Sequence, residues 1–157
     1  MKKIGFLVIC LLLGLEIYSQ SQIIYEEFES NKLNESRRLK IQLPRDYETN
    51  TEKVYPIVIV LDANYLFEPV AGNVDYFSYC EDMPESIVVG VMQARTRFDD
   101  CNYDSGNYLP SEKGADFFEF LGLELLPYID ESYRTAKFVV GVGHDLTANF
   151  LNFYLYK

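Results

Sequence analysis

Hydrophobic positions divide the chain into a few short blocks. Residues 23–29 (IIYEEFE) read as a strand, and the polar NKLNES stretch after them reads as a turn. In residues 37–43 (RRLKIQL), Leu39, Ile41 and Leu43 alternate with Arg38, Lys40 and Gln42, the mark of a strand with one wet face. Pro44 ends it. Residues 57–61 (IVIVL), 86–92 (SIVVGVM) and 137–142 (KFVVGV) are apolar without alternation, which suits central strands of a parallel sheet covered on both faces. Between the first two of these runs, residues 66–79 fit a helix. Residues 114–126 fit a second, whose stripe is Phe117, Phe120, Leu121 and Leu125, with Pro127 disturbing its last turn. A final helix is expected from about Leu146 to Tyr156. An antiparallel pair followed by three strand–helix units predicts an α/β sheet with right-handed crossovers. In such sheets sites form at the carboxyl ends of the strands. Two places therefore matter: Asp62-Ala63-Asn64 and Gly143-His144-Asp145.

The N-terminus changes the picture of where the protein works. Met1-Lys2-Lys3 is basic, residues 4–15 are almost wholly apolar, and residues 16–22 turn polar. Twelve apolar residues are too few to cross a bilayer, which takes about 20. Basic start, short apolar core and polar exit describe a secretory signal peptide over residues 1–19, cut after Ser19. The expected product is exported, periplasmic or secreted, with residues 20–157 forming one domain and no stable membrane insertion. Removing that segment takes two lysines and one glutamate from 14 basic and 24 acidic residues, leaving a net charge of −11. No basic face or stripe for nucleic acid is visible, and an anionic membrane surface is a poor partner. The 13 tyrosines and 11 phenylalanines exclude a disordered chain.

Candidate chemistry is sparse. Cys80 and Cys101 do not make a disulfide framework, and their places at opposite ends of the sheet predict that they do not pair. Asp100, Asn102, Asp104 and Gly106 resemble a calcium loop, but the glycine is one place late and Glu112 is the thirteenth residue where the twelfth is needed. No metal site is assigned. Asn34-Glu35-Ser36 is a glycosylation sequon by spelling only. His144 is the sole histidine, and a direct neighbour of Asp145 on a tight turn is badly placed to serve it as a base.

Five stretches carry a resemblance: RRLKIQLPRDYE (37–48), YPIVIVLDANYLFEPVAG (55–72), MPESIVVGV (83–91), GADFFEFLGLELLPYIDESYRT (114–135) and VGHDLTANF (142–150). In this order they resemble esterases of the enterochelin-esterase and esterase D type, which are α/β-hydrolases. The resemblance implies ester hydrolysis by Ser, His and an acid, without metal or organic cofactor. It implies a small ester, carbohydrate or siderophore-like ligand. It places the family's elbow serine on Asp145 and the second glycine of that motif on Thr147. It makes the backbone N–H groups of Ala63 or Asn64 and of Leu146 the oxyanion-hole donors. A domain of this class runs roughly 200–250 residues, so the chain resembles its N-terminal half, ending after the elbow strand and helix. The expected protein is non-catalytic as given, lacking both elbow serine and triad histidine, with Asp145 capping the last helix. Two alternatives stand beside it. One is a hydrolase using Asp145 as nucleophile, completed by residues or a partner outside these 157. The other is a ligand-binding or scaffolding protein that keeps the cleft. Residues 137–142 would form an apolar sheet edge inviting self-association.

Overall fold

A computed structural model describes residues 21–154; the expected signal peptide lies outside the described residues. Strands β1 (Ile23–Ser30) and β2 (Glu35–Gln42) form an antiparallel hairpin, turned by Asn34 at φ 53°. β3 (Tyr55–Val60), β4 (Ile87–Val91) and β5 (Thr135–Val142) are mutually parallel, and β2 joins them antiparallel through β4. The order across the sheet is β1-β2-β4-β3-β5. The runs without alternation at β3 and β4 are indeed covered on both faces, β4 over its whole length. The run at 137–142, expected to be covered likewise, is exposed from Lys137 to Gly141 because β5 is the outer strand of the described sheet.

Each face of the sheet has its own core. On one, Val58, Val60 and Val88 meet Ala63, Phe67, Ala71 and Val74 of helix α1 (Ala63–Tyr79). Gly90 of β4 permits that approach, because a Cβ there would stand 2.5 Å from the Phe67 ring. On the other face, Ile57, Ile59, Ile87 and Val89 pack with Phe117, Phe120, Leu125, Ile129 and Phe150. Burying aromatic side chains of this kind contributes about 2–3 kcal/mol each. The stripe read from residues 114–126 faces inward as expected.

Three local features differ from the sequence reading. Helix α1 starts three residues earlier, at Ala63, directly after the strand. A five-residue helix α2 (Arg97–Cys101) follows β4; RFDDC is too short and too polar to carry a periodic signal. The last turn before Pro127 is disturbed as expected, but the helix does not end at residue 126. It runs as α3 (Glu112–Glu119), a π-helical segment over Phe120–Leu125, and α4 (Leu126–Ser132). Proline lacks an N–H, and its ring crowds the carbonyl four residues back. The wider π turn before Pro127 relieves that crowding and lets the helix run on. Helix α5 (Leu146–Tyr154) closes the described chain. Among the described residues, no helix is long and apolar enough to cross a membrane.

Candidate functional site at the carboxyl ends of β3 and β5

β3 and β5 are neighbours whose ends are level. Val60 pairs with Val142, and the Leu61 N–H donates to the Val142 carbonyl at 2.9 Å. Each strand then runs into an aspartate in the left-handed region, Asp62 at φ 54° and Asp145 at φ 54°, and each aspartate opens a helix. A non-glycine residue there costs roughly 1–2 kcal/mol, least for Asp and Asn. The Asp145 turn is also tight. A Cβ on Gly143 would lie 2.8 Å from the Thr147 backbone carbon. Both sharp turns leave helix N-termini open. Among the described residues, the Ala63, Asn64 and Leu146 N–H groups have no acceptor. These are the three groups the resemblance nominated as oxyanion donors.

The two aspartates live in different surroundings. Asp62 is 2% exposed. Its carboxylate receives Arg97 Nε at 2.9 Å to both oxygens, the Tyr65 hydroxyl at 3.0 Å and the Thr147 hydroxyl at 3.0 Å. Its own N–H donates to Gln93 Oε1 at 3.0 Å. Thr147 accepts from the His144 N–H at 2.8 Å. Because the His144 carbonyl already receives Arg97 Nη2 at 3.0 Å, the single Thr147 proton is best used on Asp62. Thr147 thus ties the Asp145 turn to the β3 turn.

Asp145 is open by contrast, its side chain 74% exposed, with Arg97 Nη2 at 3.5 Å as its contact. The expected helix cap is not made. A capping side chain reaches back to the first-turn N–H groups from an extended backbone, and the left-handed φ turns this one away. Arg97 therefore bridges a buried carboxylate and an exposed one. His144 does not address Asp145 either. Its Nδ1 lies 3.4 Å from the Tyr65 hydroxyl, with the rings edge to face at 6.3 Å.

Beneath the site a polar chain continues inward. Gln93 donates to Asp100, Asp100 pairs with Arg37 at 2.5 Å, and Thr96 bonds both. Asp100 is 3% exposed, and burial raises its carboxyl above the usual range against the pull of Gln93, Arg37 and Thr96. That engagement removes Asp100 from the calcium-loop pattern, while Asp104 closes its own turn on the Gly106 and Asn107 N–H groups. Among the described residues no group of three His, Cys, Asp or Glu could hold a metal. Cys80 is exposed and Cys101 buried, both as free thiols. Burial pushes the Cys101 thiol up to about 12. A cavity of about 850 Å³ lies at the far end of α1 among Gln42, Arg45, Asp75, Tyr79 and Asp82, away from the strand ends.

Sequence reasoning found the two turns but missed what joins them. Arg97, Gln93 and the role of Thr147 were not legible. One signal was available: an aspartate directly after a strand buried on both faces needs a cation, and the nearest arginines beyond the next strand are Arg95 and Arg97.

A family model described as "Putative esterase" matches residues 30–148. The chain belongs to this family. Three solved structures are similar. An uncharacterised protein from Capnocytophaga ochracea is 32% identical, with a TM-score of 0.80, covering 87% of this chain and 37% of that one. An IroE-like serine hydrolase from Shewanella oneidensis is 26% identical, with a TM-score of 0.69, covering 82% of this chain and 44% of that one. The enterobactin esterase FES from Shigella flexneri, solved with enterobactin, shares the fold at 20% identity and a TM-score of 0.56, covering 78% and 30%. This chain thus spans between 30% and 44% of the length of these relatives. No curated protein matches.

Proposed function

We propose that this chain is an exported esterase-like protein whose elbow is non-catalytic. The observation that carries the reading is Asp145. The resemblance sets it at the family's serine position, and it has a left-handed backbone, Arg97 as its ion-pair contact and no contact with His144, whose ring faces Tyr65. A carboxylate attacking an ester would form an anhydride, a high-energy acyl group with no gain over the starting ester. The 157 residues hold one histidine, His144, and it is turned to Tyr65. A serine at position 145 would stay a weak nucleophile near neutral pH without a base to take its proton.

The open N–H groups at Ala63, Asn64 and Leu146 support a retained cleft for a small ester-like, carbohydrate or siderophore-like ligand. In an active enzyme each oxyanion donor is worth about 3 kcal/mol. Here the Asp145 charge beside them disfavours an incoming anion.

The test is a p-nitrophenyl ester assay on the 157-residue chain and on Asp145→Ser. Neither should release product above buffer, and multiple turnovers by either would overturn the reading. Export is checked on the same chain expressed in a bacterial host. An intact mass beginning at Gln20 in the exported fraction is expected, and an uncut Met1 form in the cytoplasm refutes export.

A further inference from the structure

The cavity at the far end of α1 is lined entirely by residues between 42 and 86, so neither β5 nor α5 contributes to it. It opens between the loop from β2 to β3 and the loop from α1 to β4, at the amino ends of the parallel strands. At about 850 Å³ it falls within the range of small-molecule sites, roughly 300–1,000 Å³. Two ion pairs tie its walls together. Arg45 grips Asp75 with two bonds, at 2.8 and 2.6 Å, and Lys53 meets Glu85. Both cations of the lining are thereby occupied, while Asp46, Glu81 and Asp82 make no ion pair among the described residues. Five carboxylates against two cations give the lining a net charge of −3. Helix α1 ends here without a basic residue in its last turn, so the negative end of its dipole adds to that field.

A buried acceptor asks for the same kind of ligand. Gln42 lines the cavity and is only 6% exposed. Its amide NH2 donates to the Ala71 carbonyl at 3.0 Å, which fixes how the amide is turned. Its Oε1 has no hydrogen-bond partner among the described residues. A buried amide oxygen without a donor is unusual in a folded chain, and the cavity that Gln42 lines has room for one. Tyr79 stands at the rim, 70% exposed, with the Arg45 guanidinium 5.0 Å from its ring centroid. Aromatic faces attract cations, and much of this ring is still open.

We propose that this cavity binds a linear oligoamine, at a site separate from the carboxyl ends of β3 and β5. The spacing of its carboxylates decides between an extended cation and a metal ion. Among the described residues no three of His, Cys, Asp or Glu come close enough together to hold a metal, so these acceptors do not converge on a point charge. An oligoamine spreads its ammonium groups along a flexible chain. Asp46 on the β2–β3 loop and Glu81 and Asp82 on the α1–β4 loop each accept from one ammonium, and Gln42 Oε1 accepts from a further N–H. Hydrogen bonds between ammonium and carboxylate are about twice as strong as neutral ones.

The experiment is a calorimetric titration of the 157-residue chain with spermidine, a trication, at about 0.15 M salt, where diffuse attraction to an acidic protein is largely screened. Two double variants remove the same charge from different places. Glu81→Gln with Asp82→Asn takes it from the cavity, and Glu27→Gln with Glu29→Gln takes it from β1, outside the lining. A single saturable site is expected, weakened about tenfold or more by the first pair, the worth of one bond to a charged group, and unchanged by the second. Gln42→Leu alters no charge and should weaken binding as well, with a thermal melt to check its fold. Absence of saturable binding overturns the proposal. Equal weakening by both double variants overturns it too, since only the overall charge would then matter. Displacement of spermidine by calcium at matched ionic strength would assign the cavity to a point cation and count equally against it. If Gln42→Leu unfolds, the two double variants still decide.

Discussion

Replacing Asp62 should expose how much of the fold hangs on one buried carboxylate. Its oxygens hold Arg97, Tyr65 and Thr147, and through them the β3 turn, the segment after β4 and the elbow. Bonds to a charged acceptor contribute about 1.5–3 kcal/mol each, but the three do not add. Arg97 is 31% exposed on its side chain, so it rehydrates and keeps Asp145 when Asp62 is lost. Thr147 is fully buried yet retains the His144 carbonyl at 3.0 Å. An alanine at φ 54° adds roughly 1–2 kcal/mol of backbone strain. The expected cost of Asp62→Ala is therefore about 3–4 kcal/mol, a large share of the 5–15 kcal/mol typical of a domain. Asp62→Asn keeps the left-handed tolerance and one acceptor oxygen and should cost about 1–2 kcal/mol. Urea unfolding with an unchanged slope measures both. A double cycle with Arg97→Met should show coupling of about 1 kcal/mol. Stability within ~0.5 kcal/mol of wild type for Asp62→Ala would refute the argument that this carboxylate ties the three segments together.

Two further outcomes follow from packing and burial. Gly143→Ala should destabilise the chain by about 1–3 kcal/mol, since its Cβ would press on backbone that cannot yield, whereas Gly72→Ala, with nothing within 4 Å in mid-helix, should stabilise it by about 0.5–1 kcal/mol; thermal melts showing equal shifts would contradict this. In a thiol titration of the folded chain at mildly alkaline pH, Cys80 should react and Cys101 should not until denaturant is added, because the buried thiol stays protonated well above that pH; rapid labelling of Cys101 in the native state would show that its burial is misjudged.

The sheet was legible because its signals are local. Continuous apolar runs at 57–61 and 86–92 mark strands buried on both faces, and the alternation at 37–43 marks the antiparallel neighbour. Connection rules gave an α/β sheet with right-handed crossovers, while the order β1-β2-β4-β3-β5 came from the structure. The disturbance before Pro127 was legible, but the continuation to Ser132 was not, because proline penalises a standard α turn and sequence carries no sign that a π turn will absorb it. The site was half legible. Turns at strand ends can be located from the strands, so Asp62 and Asp145 were found. Their connection depends on Arg97, which lies 35 residues from Asp62 and 48 from Asp145 and reaches them only once β4 is in place. Charged contacts of that range leave no periodic trace.

The two left-handed aspartates also bear on the proposal that this elbow is non-catalytic. Strain at Asp62 and Asp145 buys a sharp exit from each strand, and that exit is what leaves the Ala63, Asn64 and Leu146 N–H groups without partners. Open donors at a helix start favour negative charge. In an esterase that preference acts on an oxyanion that exists only during the reaction. Here the elbow side chain brings a carboxylate to the same strand ends, and Arg97 lies between it and a second, buried one. The electrostatic preference is present before any ligand arrives and is partly satisfied from within. Asp145→Ser removes that charge but supplies no base, so it should restore affinity for a small anion at these donors without restoring turnover. Titration with inorganic phosphate, an anion that needs no bond to the residue at 145, reads that difference: tighter binding to the variant with no ester hydrolysis fits the argument, while equal binding to both proteins would show that the Asp145 charge never reached the donors.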